Sequence, residues 1–126
     1  MRTPILCLFL AGCLLVGCQR ANIRQEALAS EAKAYYQQAA DLQRKVMVAM
    51  EHLEQERNQI NVQGRALAAA ERQRVADIED LLTQYARFED GFEPVATNRI
   101  SQKEVERQRT SLERIRAVWE RVQALE

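Results

Sequence analysis

The sequence predicts an all-α protein, a three-helix bundle with a long, coiled-coil-like first helix. Ala, Glu, Gln, Arg and Leu dominate its 126 residues, whereas glycine occurs four times and proline twice, which is typical of long helices. Apolar residues also recur with helical spacing over most of the chain. One very long helix with an antiparallel third helix is an alternative within the same class.

The first 17 residues have the pattern of an export signal. Arg2 supplies one positive charge, and residues 5–16 form an uninterrupted run of apolar and small residues. Twelve helical residues rise only about 18 Å, against about 30 Å for a hydrocarbon core. We therefore interpret residues 1–17 as a cleaved signal peptide, which leaves one mature domain.

The signal ends in four residues that resemble the lipobox of bacterial lipoproteins: Leu15, Val16, Gly17 and Cys18. The resemblance implies that Cys18 receives diacylglycerol and an N-acyl chain, palmitate being the typical fatty acid, and that residues 18–22 form a short lipidated N-terminus. Two or more acyl chains anchor a protein stably. In such lipoproteins an aspartate after the cysteine signals inner-membrane retention. Gln19 in that place implies the outer membrane, facing the periplasm.

Cys13, which follows Leu10, Ala11 and Gly12, fits the same four-residue pattern. Processing there would leave an apolar core of about seven residues in the signal and an apolar stub at residues 14–16. Polar sequence starts directly after Cys18, which is therefore preferred. The third cysteine, Cys7, also precedes that site, so a disulfide or cysteine metal site in the mature domain is excluded.

The first predicted helix covers residues 23–60, with Asn22 as its capping residue and Gln25 as the reciprocal partner. Its apolar or small residues alternate at spacings of four and three, which indicates a coiled-coil-like seam. The seam consists of Leu28, Ala32, Tyr35, Ala39, Leu42, Val46, Ala49, Leu53 and Ile60.

Two shorter helices are predicted at residues 66–89 and 102–125. Weak helix formers crowd residues 58–64 and favour a turn there, although the heptad phase continues through Gly64 and leaves a continuous helix open. Gly91 is expected to end the second helix in the left-handed conformation. Ser101 and Glu104 form a capping box for the third. The apolar face of the third helix comprises Val105, Leu112, Ile115, Val118, Trp119, Val122 and Leu125.

The helix lengths predict an apolar stripe without intrachain cover. The first helix is about 57 Å long and the others about 35 Å, so about 20 Å of the first is left over. The uncovered part is expected to carry Leu28, Ala32, Tyr35 and Tyr36. Such a stripe usually finds a partner helix, so a homo-oligomer or a helical protein partner is expected.

The connector between the second and third helices carries two apolar residues, Phe92 and Val95, beside Pro94. Either they cap the end of the bundle, or they dock on a partner protein. The sequence leaves both interpretations open.

Catalytic and metal-binding chemistry is not indicated. The single histidine, His52, has only ordinary surface carboxylates for neighbours. Acid-first pairs three residues apart explain five of the 15 arginines as part of a solvated helix face. These pairs are Glu54–Arg57, Glu71–Arg74, Glu104–Arg107, Glu106–Arg109 and Glu113–Arg116. We expect no enzyme activity, no cofactor beyond the lipid on Cys18 and no small-molecule substrate.

Partners are limited by the charge of the chain. Eighteen acidic and 18 basic residues balance, so no net charge steers the protein to nucleic acid or to an anionic bilayer. The order of residues 46–53, residues 78–88 and the charged last helix resembles small helical lipoproteins of unknown function from Bacteroidota. We expect a membrane-anchored structural or adaptor protein; the alternative is an accessory or inhibitory subunit of a larger envelope complex.

Overall fold

The computed structural model describes the backbone of residues 3–63 and 65–126 and the side chains of residues 20–63 and 65–126. It consists of three helices, α1 (Thr3–Asn61), α2 (Ala69–Gly91) and α3 (Gln102–Leu125). The described residues contain no β-strand. The predicted all-α class, with three packed helices and a long first helix, is confirmed.

The turn between α1 and α2 is confirmed where the weak helix formers crowd together. α1 ends at Asn61, and the backbone N–H of Val62 still donates to the carbonyl of Asn58 (3.0 Å). α2 begins after Ala68, whose N–H donates to the Glu71 carboxylate (3.2 Å). The alternative of one very long helix is therefore wrong.

Several predicted helix ends differ from the structure. The second helix covers Ala69–Gly91 rather than residues 66–89. The helical backbone of α1 runs uninterrupted through Asn22. The N–H groups that follow Asn22 are therefore paired within the helix, and Asn22 is not a cap. Gly91 is the last residue of α2 and does not adopt the left-handed conformation. Phe92 follows it with extended backbone (φ −92°, ψ 108°), and its N–H donates to the carbonyl of Glu89 (3.2 Å).

The helix directions follow from contacts at each end. α2 is antiparallel to α1, because Arg74 near its start bonds to Glu56 (2.9 Å) and Phe92 just beyond its end stacks on Tyr36. α3 returns parallel to α1, since Ile100 before its start bonds to Gln25. The end of the bundle formed by residues 25–36, 92–101 and 102–108 is called here the basal junction. The opposite end, formed by residues 56–63, residues 65–74 and the end of α3, is called the distal end.

The three helices enclose a main apolar core. Four positions of the predicted seam are fully or almost fully buried, and Met50, outside that seam, is buried as well because two helices pack against α1 and widen its contact face. Trp119 is half-buried against this core. The buried core residues are Ala39, Val46, Met50, Leu53, Ile78, Leu81, Tyr85, Phe88, Leu112, Ile115, Val118 and Val122.

The structure contains some, but not all, of the predicted acid-first ion pairs. Three pairs are present: Glu54–Arg57, Glu104–Arg107 and Glu106–Arg109. The other two predictions are wrong, because Arg74 and Arg116 find partners on α1 and the two acids pair with other arginines. Glu71 pairs with Arg65, Arg74 with Glu56, and Glu113 with Arg109, while Arg116 donates to Gln38.

Among the described residues, no helix has the length and apolar character needed to cross a bilayer.

Candidate functional site

The basal junction is the most elaborately built part of the described chain. It joins one face of α1 to the 92–101 loop and to the first two turns of α3. Residues far apart in sequence meet here through hydrogen bonds, aromatic stacking and a small apolar cluster. The junction contains both the predicted interaction stripe and the predicted partner loop.

Gln25 clamps the loop to α1 with both ends of its side-chain amide. Its Nε2 donates to the carbonyl of Ile100 (2.9 Å), and its Oε1 accepts from the N–H of Ile100 (3.0 Å). The two bonds satisfy both the N–H and the carbonyl of Ile100, a residue that is itself buried. The amide predicted to cap the start of α1 therefore holds a residue 75 positions away.

A small apolar cluster lies beneath this clamp. Ala32, Ile100 and Val105 are buried together, with Ala32 fully inaccessible. Leu28, Ala29, Tyr35 and Val95 pack around them as half-buried neighbours. The prediction that Leu28, Ala32 and Tyr35 lack intrachain cover was therefore wrong.

The length of the connector explains this cover. α2 ends opposite Tyr36, and the ten residues of the 92–101 loop run on towards Gln25 before α3 begins. The 11 residues of α1 between these points correspond to about 16 Å, well within the reach of ten extended residues. α3 therefore starts about three helical turns further along α1, towards its N-terminus, than the point where α2 ends. It covers the segment of α1 that would be bare if α3 started level with the end of α2.

An aromatic stack fixes the start of the loop. The Phe92 ring lies between Tyr36 of α1 (centroids 5.2 Å apart, 18° between planes) and Phe88 of α2 (4.9 Å, 25°). Tyr85 continues the row at 6.1 Å from Phe88, and burial, followed by the nearby Glu89 carboxylate, raises the pKa of its hydroxyl to about 12. Phe92 and Tyr36 thus contact each other within the chain.

Glu104 ties the loop to α3 through its carboxylate. Ser101 caps α3 as predicted, accepting from the N–H of Glu104 (3.4 Å). The Glu104 carboxylate, however, accepts from the N–H of Ala96 (3.2 Å), from Arg107 Nε (2.8 Å) and from Gln108 Nε2 (3.2 Å). These hydrogen bonds lower the pKa of Glu104 to about 2. The Arg107 guanidinium has the largest effect, and Gln108 and the Ala96 N–H contribute.

Two further polar side chains bind the loop backbone. Gln108, fully buried, donates through Nε2 to the carbonyl of Glu93 (3.0 Å). Arg107 donates to the carbonyl of Pro94 (3.2 Å) and lies 3.7 Å from the Glu93 carboxylate. Hydrogen bonding to Glu104 raises the pKa of Arg107, which stays charged. The loop is thus held from α1 and from α3.

Three arginines surround an open groove at the outer edge of the basal junction. Arg20 and Arg24 come from α1, and Arg99 comes from the loop, next to the clamped Ile100. All three are exposed. The sequence interpretation missed this group, because Arg99 joins the other two only through the Gln25–Ile100 contact.

The predicted lipidation residue, Cys18, lies outside the residues whose side chains the structure describes, as do Leu15, Val16 and Gly17. His52 is exposed on α1. In residues 20–63 and 65–126, no three histidine, cysteine or acidic side chains gather as a metal site would require.

Comparisons with known proteins find no match among models of protein families, curated proteins or solved structures.

Proposed function

We propose that this chain is a membrane-anchored lipoprotein of the cell envelope, acylated at Cys18, whose helical domain has a structural or adaptor role. The single observation that carries the proposal is the lipobox-like sequence Leu15 to Cys18 at the end of an apolar run, followed at once by polar sequence from Gln19. The lipid is diacylglycerol plus an N-acyl chain, and Gln19 favours the outer membrane, facing the periplasm.

The bundle is compatible with this processing. The two apolar clusters, as described, consist of residues from Leu28 onwards, so removal of residues 1–17 would take nothing from them. With Cys18 at the bilayer, the basal junction would lie next to the membrane. The end of α1 at Asn61 would then stand up to about 65 Å away, which suits an adaptor that presents its distal end to a helical protein partner.

The covered stripe counts against self-association and so supports the second candidate, an accessory or inhibitory subunit of a larger envelope complex. A self-associating scaffold needed Leu28, Ala32 and Tyr35 to be bare, and α3 with its loop occupies that face. In the part of the chain whose side chains are described, the large exposed apolar residues are Ile23, Met47, Val48 and Val62, and only Met47 and Val48 are adjacent in sequence. A homo-oligomer would therefore have to use a different surface from the one predicted.

Metabolic labelling with palmitate tests the lipid anchor. The wild-type chain is expected to incorporate label and to fractionate with membranes, whereas Cys18→Ala is expected to lose both. Cys13→Ala is the matched control and is expected to label normally. Label retained in Cys18→Ala and lost in Cys13→Ala would contradict the assignment.

Sedimentation of the detergent-solubilised lipoprotein separates the two roles. An accessory subunit is expected to be monomeric in isolation and to be crosslinked in the envelope to one defined protein. A scaffold would instead form oligomers of itself. Enzymatic activity plays no part in either role.

A further inference from the structure

We infer that the groove lined by Arg20, Arg24 and Arg99 docks on anionic phospholipid headgroups of the membrane that holds the chain, and so orients the bundle. The inference deepens the proposed function and rests on it, since it takes Cys18 to be the anchored residue. The contact would add a specific lipid-binding surface to an otherwise passive tether.

The three guanidinium groups are brought together by the fold. Arg20 and Arg24 are four residues apart on α1 and therefore lie on the same side of the helix. Arg99 reaches them because both backbone groups of its neighbour Ile100 are bonded to Gln25, one residue after Arg24. The groove between them contains amide and hydroxyl side chains from Gln25, Ser101 and Gln102, and no carboxylate lines it.

The charge of these arginines is not neutralised within the described residues. Most other arginines of the bundle, such as Arg65, Arg74 and Arg107, lie against a carboxylate. None of the three groove arginines forms an ion pair with any side chain of residues 20–63 and 65–126. Residues 1–19 contain no aspartate or glutamate. The local charge is therefore positive although the whole chain is neutral.

The position of the groove selects phospholipid as its ligand. Arg20 and Arg24 follow Cys18 by two and six residues, about 3 and 9 Å along a helix. A headgroup layer is about 5–8 Å thick on each side of the hydrocarbon core, so an anchored Cys18 puts Arg20 inside this layer and Arg24 at its outer edge. Helical side chains lean towards the N-terminus, which brings the Arg24 guanidinium back towards the phosphates. Arginine binds phosphate oxygens through paired N–H donors, and basic residues at a membrane surface favour anionic lipids.

Hydrogen exchange of the acylated protein in vesicles tests the inference. The lipoprotein is purified from membranes, its acylation is established by intact mass, and it is reconstituted into vesicles of phosphatidylcholine alone or mixed with phosphatidylglycerol. We expect exchange at residues 97–103 to slow by about tenfold in the anionic vesicles only, and the effect to vanish at high salt. Energy transfer gives a second measurement. Trp119, the single tryptophan, lies about 27 Å along α3 from Ser101. An upright bundle holds Trp119 away from the bilayer, so we expect its energy transfer to a headgroup dye to be lower in the anionic vesicles.

Matched triple variants identify the groups responsible. Arg20→Gln with Arg24→Gln and Arg99→Gln is expected to abolish the protection, whereas Arg72→Gln with Arg87→Gln and Arg114→Gln removes the same charge elsewhere and is expected to preserve it. Equal exchange in both vesicle types, protection that survives in the groove variant, or loss in both variants would overturn the inference. Equal protection by inorganic phosphate without anionic vesicles would also overturn it, in favour of a soluble anion. An unacylated Cys18 would be seen in the mass and would refute the proposed function separately.

Discussion

The side-chain amide of Gln25 satisfies both the N–H and the carbonyl of Ile100, 75 residues further along the chain. This contact closes the 92–101 loop over α1 and buries Ile100 against Ala32 and Val105. It also decides where α3 begins relative to α1. The basal junction therefore depends on one polar side chain as much as on its apolar cluster.

Gln25→Ala is expected to lower the free energy of unfolding by about 2 kcal/mol, because two hydrogen bonds are lost and the half-buried backbone groups of Ile100 are left to water. Chemical denaturation measures the loss, and amide exchange is expected to accelerate at Ile100. Gln37→Ala, at an exposed position of the same helix, is the control and should be nearly neutral. Equal stability of the Gln25→Ala and Gln37→Ala variants would contradict the role of the clamp.

Phe92→Ala is expected to cost about 2–3 kcal/mol, less than for a fully buried ring, because the stack between Tyr36 and Phe88 is lost from a half-buried position. Phe92→Leu keeps most of the apolar area and is expected to cost about 1 kcal/mol. The comparison variant is Val62→Ala, whose side chain is 81% exposed and whose replacement should leave thermal stability unchanged. If Phe92→Ala melts like the wild-type protein, Phe92 faces solvent and the partner-docking interpretation of the loop regains support.

Glu104 is expected to contribute a defined acid limb to stability. Its folded pKa, about 2, lies below its ordinary value of 4.5, so the stabilisation is complete above about pH 4.5 and is lost as the pH falls through 2. One pKa unit corresponds to about 1.4 kcal/mol, so the depressed pKa of Glu104 corresponds to at most about 3 kcal/mol, which solvent screening reduces.

The test is denaturation of Glu104→Gln between pH 7 and pH 2. This variant is expected to be less stable at neutral pH and to lose less on acidification than the wild type. Glu113→Gln removes an exposed carboxylate and serves as the control for charge alone. An acid limb of wild-type steepness in Glu104→Gln would refute the network around Glu104.

Gly91→Ala is expected to stabilise the protein by about 0.5–1 kcal/mol. Gly91 is helical rather than left-handed, and a Cβ there would meet its nearest neighbour, Arg114 Nη1, at an ordinary 3.6 Å. Alanine loses less backbone entropy than glycine on entering a helix. A thermal melt is sufficient, and a lower melting temperature would indicate that Gly91 needs the left-handed conformation after all.

Helix positions were predictable from the chain because periodic apolar residues report directly on the buried face. The seam from Leu28 to Leu53 and the Ser101 cap both belong to this local information. The direction taken by the 92–101 loop was not predictable, because a backbone carbonyl or N–H, such as those of Ile100, has no sequence signature. The same reason hid the arginine groove, whose third member depends on that loop.

The ion pairs of Glu71 and Arg74 were also not predictable from sequence spacing alone. Spacing placed Arg74 beside Glu71 on one helix, whereas packing of α2 against α1 gives Arg74 the Glu56 carboxylate and leaves Glu71 to Arg65. An intrahelical pair contributes only a few tenths of a kcal/mol, so a modest tertiary advantage is enough to exchange partners.

The most direct test of the proposed function is the intact mass of the chain purified from membranes of cells that express it. The expected polypeptide begins at Cys18 and carries the mass of a diacylglyceryl group and an N-acyl chain. A chain that begins at Cys13, a chain cleaved without lipid, or a chain that keeps residues 1–17 would contradict it.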